Sequence, residues 1–304
     1  MKRLLLLLTL GLTVVSCQNK ELGEIPLDNT VAVHVRINWQ PGQTVPVNDG
    51  MRINLFSLSE GVGHYGMEDV DCKGAQVNLK CGTSHRTFAY SFRGNNIYFR
   101  NQLDQTLIEA YCAPMSRATY SRAFPNQTTI SDAEGNFYVG KHHEYTVLET
   151  LDEQFIEVYP ENKLYTYTFE VRNVQGAEFI HQTRGAISGM SGSYFLGTGA
   201  LSTSPSTVLF NATVDVNNSK ITGSFRTFGR LGDDNEFTIE VIYPSNTNGI
   251  IQKTWNVTSQ IDNGTNFHIV IDDSGLVIPD EGGGLNSGWT VILDDWNEET
   301  IQLQ

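Results

Sequence analysis

The chain has 304 residues and carries 20 Lys and Arg against 34 Asp and Glu, a formal net charge of −14 at pH 7. So acidic a body is a poor match to nucleic acid, whose binding depends on cations neutralising phosphates, and equally poor for lying on an anionic lipid surface. Apolar residues make up 39% and charged residues only 18%, with 28 glycines, a balance that favours β-strands joined by turns over helices.

In chain order, Lys2 and Arg3 form a positive start, Leu4 to Leu12 an apolar core interrupted by Thr9 and Gly11, and Val14-Val15-Ser16-Cys17 closes the segment. A transmembrane helix needs ~20 apolar residues, about twice this run. A plain secretory signal ends in small residues at its cleavage site; here the residue after the expected cut is a cysteine, and the arrangement resembles the bacterial lipobox. That implies cleavage after residue 16 and acylation of Cys17. Each buried methylene contributes ~0.8 kcal/mol and stable anchoring needs two chains or more, which an acylated cysteine supplies. Residue 18 is Gln rather than Asp, so an outer-membrane address with cell-surface exposure is expected. Residues 17–30, with Glu21, Glu24 and Asp28 among Gly23 and Pro26, read as an acidic tether.

Alternation then begins, with Val31, Val33, Val35, Ile37 and Trp39 on one face of a half-buried strand. Met51, Ile53 and Leu55 repeat it, followed by Val77 and Leu79, His85 to Phe92, Ile97 to Phe99 and Thr106 to Tyr111; Arg93-Gly94-Asn95-Asn96 has turn chemistry. The polar stretch from Pro114 through Gly140 reads as an insertion loop or decorated hairpin. A segment from Val147 to Tyr159 follows, and Pro160-Glu161-Asn162 is the expected domain junction. Beyond it Tyr165 to Val171, Val208 to Val214, Ile221 to Thr227, Phe237 to Tyr243, Thr254 to Val257 and Phe267 to Ile271 predict further strands. The expectation is an all-β chain with two tandem sandwiches, over residues 31–160 and 161–304.

Three cysteines remain besides Cys17. Cys72 and Cys81 flank what reads as a strand turn and are the candidate disulfide in an exported protein; the alternative is that these two and Cys112 are small core residues. Catalytic patterns fail on inspection. Gly189-Met190-Ser191-Gly192-Ser193 puts Ser where the second Gly of a nucleophile elbow belongs. Adjacent His142 and His143 on a strand point to opposite faces. Asp215-Val216-Asn217-Asn218-Ser219 imitates a calcium loop, but Lys220 and Arg226 occupy the sixth and twelfth positions. No pattern calls for a metal or cofactor, and no enzyme activity is expected.

Taken together these residues resemble the fimbrillin-A-associated anchor and accessory lipoproteins of Bacteroidetes. The marks are the lipobox followed by an alternating strand, Val77 to Gly82 leading into Phe88-Ala89-Tyr90, Asn95-Asn96-Ile97-Tyr98-Phe99, the run Gly185 to Gly192 read as a turn, Thr227-Phe228-Gly229, and the ending Trp289 to Leu303. The resemblance implies two transthyretin-like Greek-key sandwiches, a place at the base of a fimbria or as a minor component, and assembly with fimbrial subunits by β-strand exchange. In such exchange an incoming strand satisfies the open backbone groups and apolar pockets of a sheet edge. The C-terminal segment, with Trp289, Val291, Leu293 and Trp296, is the candidate exchange strand behind a Gly282-Gly283-Gly284 hinge; the alternative is that it pairs inside its own domain. A second functional reading is a surface glycan-binding lipoprotein of a polysaccharide-uptake system, to which Trp255, Trp289 and Trp296 could contribute stacking.

Overall fold

The computed structural model describes residues 29–45, 50–59, 61, 63–93, 96–116, 126–244, 249–261 and 265–280. Cys17, the tether up to residue 28 and the candidate exchange strand at 289–296 lie outside them, while Thr30, assigned to the tether, opens the first strand. The described chain is almost entirely β, and it divides into two compact units: residues up to Tyr90 with Gly140–Pro160, and Ser91–Val139 with Glu161 onward.

In the first half the strands are β1 (Thr30–Ile37), β2 (Met51–Ser57), β3 (Gly63–Val70), β4 (Gly74–Lys80), β5 (Ser84–Ser91), β6 (Ile97–Arg100), β7 (Glu109–Cys112), β8 (Thr128–Ser131), β9 (Tyr138–Thr146) and β10 (Gln154–Val158). The first unit is built from β1 to β5, β9 and β10. Its smaller sheet runs β10-β1-β4, its larger one β9-β5-β2-β3. Alternation fixes the register of β1: Val33, Val35 and Ile37 are buried while Ala32, His34 and Arg36 are not. Each fully buried aliphatic side chain of this kind contributes ~1.5–3 kcal/mol. Met51, Ile53 and Leu55 on β2, and Ile156 and Val158 on β10, are buried too.

The second half adds β11 (Glu161–Asn162), β12 (Tyr165–Val171), β13 (Gln182–Ser191), β14 (Ser193–Phe195), β15 (Pro205–Asn211), β16 (Thr213–Asp215), β17 (Lys220–Thr227), β18 (Glu236–Tyr243), β19 (Gly249–Asn256), the one-turn helix α1 (Thr258–Ile261) and β20 (His268–Ile271). The second unit holds a sheet ordered β16-β17-β12-β20, another ordered β19-β18-β13-β15-β8, and a small sheet β14-β7-β6. Its core is aromatic. Phe210 stacks on Phe225 with centroids 4.6 Å apart, Phe169 lies 5.0 Å from Phe237, and Tyr167 stacks on Phe225 at 5.1 Å. Such pairs add ~0.5–1.5 kcal/mol beyond their area.

The two units repeat one strand order. In the first, β1 lies between β4, antiparallel, and β10, parallel; in the second, β12 lies between β17, antiparallel, and β20, parallel. The order β9-β5-β2-β3 of one larger sheet recurs as β19-β18-β13-β15 in the other. Each unit is therefore a seven-strand Greek-key sandwich of transthyretin type. The second is elaborated by β16 and by β8, which joins parallel to β15 through Ser206↔Thr128 to Leu209↔Ser131.

Three expectations change. The segment 91–139, assigned to the first domain on linear order, belongs to the second unit, because β7 pairs with β14 and β8 with β15. The run Gly185 to Gly192 is mostly the strand β13 rather than a turn. A Cβ on Gly185 would stand 2.1 Å from the Phe210 ring, so close packing demands glycine there; Gly189, at φ +72°, sits where the pairing with β15 shifts register between Ile187 and Met190. Finally, Cys72, Cys81 and Cys112 are not joined to one another by a disulfide. Cys72 and Cys81 stand at opposite ends of β4 instead of across a turn, and a seven-residue strand spans roughly 20 Å, far beyond the ~6 Å between the Cα atoms of a disulfide.

His85 on β5 is buried (1% exposed). Its Nε2 lies 2.8 Å from Thr83 Oγ1, Nδ1 has no hydrogen-bond partner among the described residues, and burial lowers its pKa. The unfolded chain therefore binds a proton that the folded one resists. Stability is complete above the unfolded value of ~6.5 and falls as pH drops below it toward the lower folded pKa. Between pH 7.5 and 5 the thermal midpoint of the wild type should fall more than that of His85→Gln; parallel curves would contradict this role.

Candidate functional surface

The residues singled out for chemistry serve the fold. Ser191 is fully buried, and its Oγ donates to the Ser193 carbonyl at 2.8 Å and accepts from the Ser202 amide at 3.1 Å, leaving no approach for a substrate. The Gly189 bulge is clamped by buried Asn235, whose Nδ2 donates to the carbonyls of Ser188 at 2.9 Å and Gly189 at 3.3 Å. His142 Nδ1 lies 3.0 Å from the Glu157 carbonyl on the neighbouring segment. Asp215 caps a 3-10 turn at Val216–Asn218. Its carboxylate accepts from the Asn218 side chain at 2.7 Å and the Asn218 amide at 3.2 Å, and these bonds, the side-chain one foremost, lower its pKa. Burial pushes the Cys112 thiol up to about 12, so it stays protonated at neutral pH. Among the described residues no group of three or more His, Cys, Asp or Glu converges as a metal site.

What the described residues offer instead is edge and cleft. β3 ends its sheet, and Tyr65 and Met67 on it are exposed. β6 ends the small sheet β14-β7-β6, and its hairpin with β7 carries Tyr98, Leu103 and Leu107, all more than half exposed. Strand pairing in register from Ile97↔Cys112 to Arg100↔Glu109 holds this hairpin. A two-pronged ion pair reinforces it: Arg100 Nε and Nη2 donate to Glu109 at 2.6 and 2.8 Å. Burial alone would raise the pKa of Glu109, but the bonds from Arg100 and Ser193 outweigh it and the pKa is lowered.

Along β6 runs an open cleft of about 530 Å³. Phe92, Asn96, Ile97, Tyr98, Phe99, Gln102 and Glu134 line it; Tyr98 and Phe99, adjacent on the strand, turn their side chains to opposite faces of the sheet. Asn96 Nδ2 donates to Glu134 Oε1 at 3.1 Å. Sequence reading placed Ile97 to Phe99 on a strand but could not group them with Glu134, which is distant in the chain.

Fold and surface thus define a class, an all-β protein of two Greek-key sandwiches that presents strand edges and an open cleft among its described residues. Residues 16–211 match the family described as a domain of unknown function, DUF5119, and the chain belongs to that family. No curated protein matches it. Among solved structures the chain is similar to a candidate adhesin from Bacteroides ovatus, with 17% identity, a TM-score of 0.64, and 82% of this chain and 92% of that one covered. It is also similar to a second candidate adhesin from the same species, with 11% identity, a TM-score of 0.51, and 77% and 80% covered. A third similarity is to the fimbrial anchor protein Mfa2 from Porphyromonas gingivalis, at 13% identity, a TM-score of 0.49, and 77% and 86% covered.

Proposed function

We propose that this protein is a non-enzymatic, fimbria-associated lipoprotein of the cell surface, an anchor or minor subunit held to the outer membrane by acyl chains on Cys17. Its body meets fimbrial subunits through β-strand edges, with the segment around Trp289, Val291, Leu293 and Trp296 as the exchange strand. The observation that carries this reading is the fold shared over 82% of the chain with a Bacteroides ovatus candidate adhesin. The lipobox-like start and the fimbrillin-type marks along the sequence add to it. The body supplies no assembled catalytic group among the described residues, so its contribution is a mechanical link between membrane and partner.

In the native host, Cys17→Ala is expected to abolish acylation, release the protein from the membrane fraction, and leave fimbriae fewer or detached. Acyl labelling, fractionation and electron microscopy read these outcomes. Normal, firmly attached fimbriae in that variant would sink the anchoring role.

A further inference from the structure

We propose that the two units are tension-bearing clamps in series, each loaded in shear when the membrane end and the partner end of the chain are pulled apart. The inference rests on the attachment points proposed above, at Cys17 and around residues 289–296, and assigns a function to the body between them.

The load path follows from strand order. Tension from Cys17 enters the first unit at Thr30, the N-terminal end of β1, and passes out beyond Val158, the C-terminal end of β10. These two strands are parallel neighbours, in register from Val33↔Gln154 to Ile37↔Val158. Pulling the start of one against the finish of the other slides them along their common axis. The ladder bonds run mostly across that axis, so they share the load and give way together. An antiparallel pair would put both loaded ends at one end of the ladder, where tension peels bonds one at a time. The other crossings out of this unit lie beside the end of β10. A Cβ on Gly140 would stand 2.5 Å from Val158 Cγ1 and 3.0 Å from the Pro160 nitrogen, and the Tyr138 amide donates to Ser91 Oγ at 3.0 Å. The chain enters at the far end, where the Cys81 amide donates to the Asn29 carbonyl at 2.8 Å.

β1 is held on its second side as well. β4 pairs with it from Thr30↔Lys80 to Arg36↔Gly74, so β1 cannot slide without shearing both ladders. Val33, Val35 and Ile37 are buried and would be dragged through the core. On the outer face Phe155 sits between His34, 5.6 Å away by ring centroid, and the Arg36 guanidinium, 3.4 Å from the ring centre. Arg36 and Asn38 both reach Glu157, and Trp39 Nε1 donates to the Cys72 carbonyl at 2.6 Å.

The second unit repeats the device. The chain enters β12 at Tyr165 and passes out beyond Ile271, the end of β20. These strands are again parallel neighbours, from Thr168↔His268 to Val171↔Ile271. Their seam continues past the strands: the Gln175 amide donates to the Leu276 carbonyl at 3.0 Å, and the Ile278 amide to the Gln175 carbonyl at 2.8 Å. Arg172 pairs with Asp272 at 2.6 Å across the same seam. β17 flanks β12 on its other side, antiparallel. In both units, then, the strand that takes up the load is flanked on both sides.

Optical tweezers test this on the full mature chain without acylation, carrying Cys72→Ser; Cys81 and Cys112 are buried. One handle is attached at Cys17. The other is attached to a cysteine added after Gln304 in one preparation, and at Lys80→Cys in the second. Lys80 stands opposite Thr30, so the second geometry peels β1 from β4 in the same folded protein, and equal thermal midpoints verify that the handles leave the fold unchanged. Pulled end to end, the chain is expected to open in two steps, each at about twice the peeling force or more, since forced opening reads the unfolding barrier along the direction pulled. The proposal is overturned if either end-to-end step comes at or below the peeling force. No acyl chain is present in this measurement, so its outcome is independent of whether Cys17 anchors the protein; release of Cys17→Ala from the membrane fraction reads that separately.

Discussion

Arg184→Ala is expected to destabilise the second unit by about 3–5 kcal/mol, far more than an ordinary truncation at a surface strand position. Arg184 stands on β13 directly opposite Glu240 of β18. The two side chains are 12% and 0% exposed, and the guanidinium Nε donates to Glu240 Oε1. The other carboxylate oxygen, Oε2, has no hydrogen-bond partner among the described residues. Removing the arginine would leave a carboxylate in a dry site with nothing to offset its lost hydration, and the fold must bear that cost. Replacing both partners by apolar residues of similar volume removes the charge as well as its mate, and such swaps are neutral or stabilising in other buried pairs. Arg184→Met with Glu240→Leu should therefore recover most of the stability that Arg184→Ala loses, giving a double-mutant coupling well above the scatter expected for independent sites. Urea unfolding measures all of these variants. If the double variant is as unstable as Arg184→Ala, lost packing rather than stranded charge sets the cost.

How much of this was legible in the sequence depends on how each strand is buried. β1 and β12 have one face in the core and one outside, so Val33, Val35 and Ile37, and Tyr167, Phe169 and Val171, alternate with exposed or half-buried residues and announce themselves. β3 reads Gly-His-Tyr-Gly-Met-Glu-Asp-Val with no buried position; an edge strand with nothing to bury writes no apolar period. β13 fails for the opposite reason. Nearly all of it is buried, and where Phe210 crowds Gly185 and Asn235 crowds Gly189 the only side chain that fits is none, so the strand has the composition of a turn. β8 sits in a polar stretch because only Ile130 and Ser131 of its four residues are buried. The cysteine pairing was inferred from nearness in sequence, and a strand turns nearness in sequence into distance in space. The cleft was illegible because it joins β6 to Glu134 through folding alone.

The second large effect concerns which pieces of the chain can stand alone. Residues 161–304, the domain suggested by linear order, are expected not to fold as an isolated fragment. The insertion they lack contributes Ile108, Ala110, Cys112, Ile130, Ala133 and Phe137, all buried to within 3%. Ile108, Ile130 and Phe137 alone represent about 5–9 kcal/mol of transfer free energy, comparable to the whole ~5–15 kcal/mol stability of a domain. The fragment would also lose the pairing of β7 with β14 and of β8 with β15, opening the β15 edge to other chains and to aggregation. A chain in which 91–139 is joined to 161–304 should behave differently. Val139 and Glu161 are already antiparallel cross-strand partners, so a two-residue Asn-Gly hairpin can replace 140–160 without moving either end. That joined chain is expected to be monomeric, to show β circular dichroism and to unfold cooperatively in urea, while 161–304 shows no such transition. Equal midpoints for the two would mean that the insertion is decoration and not part of the second core.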